Sequence, residues 1–191
     1  ARGVDGLVFV PEAARSSVFK ISARQLVLSS STALETFDLV PILADEIRDE
    51  HLLSETLRLA SEIANRSARH SADFLQSAAA ASGVFKRFDH RTAEVSRAAF
   101  ELGFQFATRT GGMTADLWAS LPKTISRLSA DTTVRLLEHA GRILDHGASV
   151  TLHFISSGSE VLRLAPEVFD EWFNVLTRIA GQGNAVLIAF I

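Results

Sequence analysis

The sequence predicts an all-α fold, a helical-repeat solenoid of about 36-residue units, four to five in number with the outer ones partial. Three observations lead there. First, Ser120–Ile155 and Ser156–Ile191 share nine residues at a 36-residue offset: Ser120/Ser156, Arg127/Arg163, Leu128/Leu164, Arg142/Arg178, Ile143/Ile179, Gly147/Gly183, Val150/Val186, Phe154/Phe190 and Ile155/Ile191. Unrelated segments of this composition would share about two or three, and a fixed period of this size marks a repeat array. Second, Val168, Trp172, Val175, Leu176 and Ile179 fall at helical spacings, with Phe169, Phe173 and Ala180 widening the stripe. Such a stripe faces neighbours on two sides, as a helix between stacked units does. Third, Gly147 and Gly183 stand just beyond their helices, where a left-handed residue costs glycine little.

The elements follow in order. Residues 1–17, with Gly3, Gly6 and Pro11, are the least regular and are expected to form an irregular lead-in to an array over 18–191. Leu26 stands 11 residues ahead of Phe37, and the same step separates Ile63 from Phe74, Ile143 from Phe154 and Ile179 from Phe190. These pairs are the expected anchors of successive units, with Trp118 in the register of Phe74 and Phe154. The 44-residue gap from Phe74 to Trp118 places extra residues around Ser82–Ala99 and Gly111–Met113. Asp49 and Glu50 suit the positive end of a helix through Arg66. Ser129 is a candidate cap ahead of Asp131, and Pro166 suits the first position of the next long helix, with Glu167 beside it. Short helices are expected over Val150–Ile155 and Val186–Ile191. After the first, Ser157-Gly158-Ser159-Glu160 has the S-x-x-E form of a capping box opening a final turn to Leu164, and Pro122 takes the place of Gly158. The last copy stops after Phe190 and Ile191 without a polar capping helix, the ending expected of a segment cut inside a longer array.

Composition narrows the function classes. With 191 residues and 47% hydrophobic content the chain can bury a substantial core. Its apolar runs, such as Val186–Ile191, fall far short of the roughly 18 residues a bilayer span needs. No charged-then-apolar leader opens it, so a cytoplasmic location is expected. The absence of cysteine excludes disulfides and thiolate metal sites. A net charge of −3 gives no electrostatic reason to expect nucleic acid or an anionic membrane as partner.

The familiar helical repeats do not fit: the chain lacks tyrosine, which the tetratricopeptide signature needs, and ankyrin's T-P-L-H. The run Phe154-Ile155-Ser156-Ser157-Gly158, then Val161-Leu162, Leu164, Pro166 and Trp172, has a different flavour. It resembles the helical-repeat region upstream of the von Willebrand A domain in bacterial nitric-oxide-reductase and rubisco activation proteins, over roughly residues 37–191. The resemblance implies a scaffold working with a hexameric AAA+ ATPase. The chain contains no D-x-S-x-S motif, so the metal site of that downstream domain is carried over to no residue here.

Candidate chemical sites dissolve against the repeat. His139, His146 and His153 are spaced by seven, but His139 aligns with Val175 and His153 with Ala189, and no HExxH accompanies them. Asp45, Glu46, Asp49 and Glu50, beside His51, would suit acid–base work or a divalent cation. The simpler expectation is a helix start, screened by Arg48 and Arg58. Gly181-Gln182-Gly183 lacks the third glycine and the preceding strand of a dinucleotide fingerprint. Asn65-Arg66-Ser67, a formal glycosylation acceptor, falls at a helix end.

One polar feature repeats. Arg127 and Arg163 match across units, Arg87 is a third member, and such a ladder can grip acidic groups of a partner. The competing account pairs each arginine within the chain, for example with Glu160; Arg142 and Arg178 are open to the same two accounts. The expected function is therefore a non-catalytic scaffold for protein–protein interaction, without cofactor or metal. The alternative is a small apolar ligand-binding or regulatory domain, since 13 phenylalanines and two tryptophans can line a pocket as well as a core.

Overall fold

The computed structural model describes residues 7–8, 10–110, 114–180 and 182–191. Among these the chain is all-α. Gly3, Gly6, Gly111–Met113 and Gly181 lie outside the described residues. The chain divides into two compact units, Ala1–Ala115 and Asp116–Ile191, where spacing alone predicted one array over 18–191.

The first unit holds α1 (Glu12–Gln25), α2 (Ser30–Ile47), α3 (Glu50–Arg66), α4 (Ala68–Phe85) and α5 (Thr92–Arg109). Helix α1 corrects the sequence expectation, because it begins inside the segment 1–17. Pro11 presets the entry with φ −50° and Glu12 occupies the positive first turn, while Ala14, Val18 and Ile21 make a buried stripe at i, i+4 and i+7. The next three helices are capped by side chains. Ser29 Oγ accepts from Thr32 N at 3.0 Å, Asp49 Oδ1 from Leu52 N at 2.8 Å, and Ser67 Oγ from His70 N at 3.2 Å. Ser67 also ends α3, its own N–H donating to Ile63 O, so one residue joins two helices. Helices pack on neighbours and on next neighbours alike: α1 lies against α2 and α3, α4 against α2, α3 and α5, and α3 against α5. Phe74, Phe85, Phe100 and Phe106 are fully buried in this core, with Phe85 and Phe100 edge to face at 6.1 Å.

The second unit holds most of α6 (Thr114–Ile125), then α7 (Ala130–Ile143), α8 (Ala148–Leu164), α9 (Phe169–Ala180) and α10 (Asn184–Phe190). The 36-residue offset carries α7 onto the 3-10 turn Pro166–Val168 plus α9, and the start of α8 onto the start of α10. Ser129 caps α7, accepting from Thr132 N at 3.3 Å. Anchors fall on alternate helices: Phe37 on α2, Phe74 on α4, Trp118 on α6, Phe154 on α8 and Phe190 on α10. Ile63, Phe74, Trp118, Ile143 and Phe154 are buried, whereas Leu26 and Phe190 are exposed.

Two local expectations are corrected. Residues Ser157-Gly158-Ser159-Glu160 form no capping box, because α8 runs unbroken to Leu164. Ser159 Oγ donates to Ser156 O at 2.7 Å inside the helix instead of capping a new one. Gly158 serves packing: a Cβ there would stand 2.8 Å from Leu136 Cδ1 and 3.3 Å from both Phe169 Cε2 and Trp172 Cζ3. Pro122, its counterpart, likewise lies inside α6.

Gly147 and Gly183 take φ 107°, ψ 158° and φ 116°, ψ 154°, and each opens the following helix. That region is extended and positive in φ, so it is nearly exclusive to glycine, unlike the left-handed helical region expected at a helix end. A Cβ at either would meet nothing within 4 Å, so substitution strains backbone alone. Gly147→Ala and Gly183→Ala are each expected to cost about 1–3 kcal/mol. Asparagine, which suits the left-handed helical region, should rescue neither; urea denaturation of the four variants measures this.

Candidate functional site

A polar cleft of about 330 Å³ opens in the second unit between the end of α6 and one face of α8. Ser156, Ser159, Glu160 and Arg163 line it from α8 at i, i+3, i+4 and i+7, a spacing that puts all four on one helix face. The last turn of α6 contributes Lys123, and the turn after it Arg127. The two repeated arginines of this unit therefore share a cleft.

Their situations differ. Arg163 Nε and Nη2 both donate to Glu160 Oε2, at 2.9 and 2.6 Å, as the intramolecular account expected. An exposed i, i+3 pair of this kind contributes about 0–1 kcal/mol, so it positions the guanidinium more than it stabilises the fold. Arg127 is exposed, and neither it nor Lys123 forms an ion pair among the described residues. Both cations favour the carbonyl end of α6, a contribution of about 0.3–1 kcal/mol. Arg87 belongs to the first unit, two residues past the end of α4 as Arg127 is past α6. Its guanidinium lies 4.1 Å from the Phe88 ring centroid, and partial burial lowers its pKa from the usual arginine value. At neutral pH it stays charged.

The acidic cluster is split between helices. Asp45 and Glu46 close α2, while Asp49 caps α3, and Arg48 turns the chain between them at φ 48°. Arg58 pairs with Glu62 instead of screening the cluster. Glu46 is met by Lys86, Nζ to Oε2 2.6 Å. Glu46, Arg48, Asp49, Lys86, Asp89 and His90 line a cleft of about 470 Å³ within the first unit. Arg48 and Asp89 (φ 51°, ψ −121°) are the positive-φ non-glycine residues among those described, and both border this cleft. Asp89 is held there by Thr92, whose hydroxyl donates to its carbonyl at 2.7 Å. Three carboxylates stand against two cations here, so the cleft carries no surplus of positive charge.

Among the described residues no group of three or more His, Asp or Glu side chains converges as a metal site would. His139 is instead part of the core of the second unit. Its Nδ1 lies 2.8 Å from Arg135 O, and its ring stands edge-on to Phe173 at 4.2 Å and to Phe169 at 5.4 Å. Burial lowers its pKa below 6.5, with the Arg142 charge adding to the effect, while the bond to Arg135 O and the Asp170 charge oppose it. His139 is therefore neutral at pH 7, and Asp170 pairs with Arg135, Nε to Oδ1 3.0 Å. His153 is exposed on α8, and the carbonyl of His146 accepts from Asn184 Nδ2 at 2.9 Å.

Sequence reasoning missed Lys123. Lys123 aligns with Ser159, so recurrence at the 36-residue offset does not mark it. A lysine four residues before a repeated arginine at a helix end was the available signal. Comparison with protein-family models, with curated proteins and with solved structures returns no match.

Proposed function

We propose that this chain is a non-catalytic, cytoplasmic helical-repeat scaffold that holds a protein partner, with Arg127 and Arg163 as contact residues and Arg87 as a further one. The observation that carries this reading is the shared cleft of Arg127 and Arg163, residues 36 apart in a sequence whose helix starts recur at the same offset. Repeats that stack helix on helix present extended surfaces, and side chains at one repeat position then serve one face. The buried phenylalanines support a scaffold over a ligand pocket: Phe74, Phe85, Phe100, Phe106, Phe154 and Phe169 are committed to the packed cores. No helix among the described residues is long and apolar enough to cross a membrane. The resemblance to the repeat regions of nitric-oxide-reductase and rubisco activation proteins makes a hexameric AAA+ ATPase the partner class to test first.

Affinity capture under native conditions, with co-purifying proteins quantified by mass spectrometry, tests the reading. Wild type is expected to retain a stoichiometric protein partner, and Arg127→Glu/Arg163→Glu to lose at least tenfold of it. Wild type that retains no protein overturns the scaffold reading.

A further inference from the structure

We infer that the cleft between α6 and α8 receives the carboxylates of an acidic, Asp/Glu-bearing segment of the partner, with Lys123 and Arg127 as its two receiving cations. This rests on the scaffold reading and names the chemistry of the partner. The cleft gathers Lys123, Arg127 and Arg163 against Glu160, a surplus of two positive charges in a chain whose net charge is −3. A basic concavity on an acidic protein steers acidic segments to it and repels the rest of a like-charged surface.

The geometry favours carboxylate over phosphate. Phosphate sites converge many donors on one point, commonly at a helix N-terminus. This cleft lies at the carbonyl end of α6 and along the later half of α8, where the backbone potential is negative. Three of its four hydroxyls also spend their protons on backbone: Thr124 on Ser120 O, Ser126 on Lys123 O and Ser159 on Ser156 O. Glu160 adds a fixed negative charge that a phosphate dianion would meet. What remains for a ligand, beside the Ser156 hydroxyl, is one cation on the last turn of α6 and another four residues on, separate receptors for separate monoanions. Arg163, steadied by Glu160 along one edge of its guanidinium, borders them as a third.

Fluorescence anisotropy of the whole chain with labelled eight-residue peptides tests this. The probes are a peptide alternating Glu with Gly and Ser, its Glu→Gln counterpart, and a phosphoserine peptide without Glu. The Glu peptide is expected to bind, to weaken steeply between 50 and 200 mM salt, and to lose at least tenfold in Lys123→Glu/Arg127→Glu. Lys20→Glu, at an exposed position on α1, should bind it as wild type does. Lys123→Ala/Arg127→Ala, at exposed positions without ion pairs, keeps the fold and should lose affinity in the same direction; far-UV melts verify both variants. No binding of the Glu peptide, equal binding of the Gln peptide, tighter binding of the phosphoserine peptide, or indifference to the variants each overturns the assignment. If wild type captures a partner in cells while the peptide arm fails, the acidic-segment assignment falls and the scaffold reading stands.

Discussion

Phe154→Ala is expected to destabilise the second unit by about 3–5 kcal/mol, the range for deleting a buried aromatic ring. Phe154 is fully buried on α8 and stacks on Trp172 with centroids 5.4 Å apart and planes 12° from parallel. Phe173 meets it edge-on at 5.7 Å and Phe169 lies tilted to it at 6.2 Å, so the ring is the centre of the α8–α9 contact. Removing it forfeits both the transfer energy and the contacts of three rings that cannot all collapse into the gap. Against a typical stability of about 5–15 kcal/mol, that loss is a large fraction. Trp118 and Trp172, the chain's two tryptophans, both lie in the second unit, so tryptophan fluorescence in urea reports on it directly. A midpoint lowered by about 1–3 M is expected. Phe154→Leu, which keeps most of the volume, should lose less.

Gly158→Val is expected to cost about 3 kcal/mol or more through overpacking. Here α8 runs so close to Leu136, Phe169 and Trp172 that even a methyl group intrudes at 2.8 Å on the leucine. Gly158→Ala sets two effects against each other: about 1 kcal/mol gained in helix propensity, and about 1–3 kcal/mol lost to the intrusion. The partner that must yield is the tip of Leu136, so the two positions should couple. In a double-mutant cycle, Leu136→Ala is expected to turn Gly158→Ala from costly to favourable, with a coupling of about 1–2 kcal/mol. Additive effects would mean that the close approach at Gly158 is not what selects glycine.

Much of the fold is legible in the sequence because α7 to α10 repeat their helix signals at a fixed offset. The 11-residue step from Ile63 to Phe74, and from Ile143 to Phe154, carries one helix end into the buried stripe of the next. What fails is instructive. Ser157-Gly158-Ser159-Glu160 satisfies a local capping pattern, yet the aromatic layer of α9 and Leu136 of α7 require a continuous, side-chain-free surface there, and tertiary packing overrides the local signal. Residues 12–17 looked irregular beside Gly3, Gly6 and Pro11, although Pro11 opens a helix as readily as it ends one. The division after Ala115 leaves no compositional mark, since the described residues of both units are helical and the two stretches are similarly apolar. Of the candidate site, the arginines were visible through their recurrence. Lys123 was not, because repetition finds only what is repeated, and this lysine joins the site through the end of one helix.

Zero-length carbodiimide cross-linking of the captured complex tests the central claim most directly, since it joins an amine only to a carboxylate in contact with it. The chain has three lysines, Lys20, Lys86 and Lys123. Lys86, 2.6 Å from Glu46, supplies an internal control within the chain. A scaffold that holds an acidic partner in the cleft predicts cross-linked peptides joining Lys123 to Asp or Glu of the partner, absent from Lys123→Arg. Cross-links that run from the partner to Lys20 or Lys86 and leave Lys123 unmodified would contradict it.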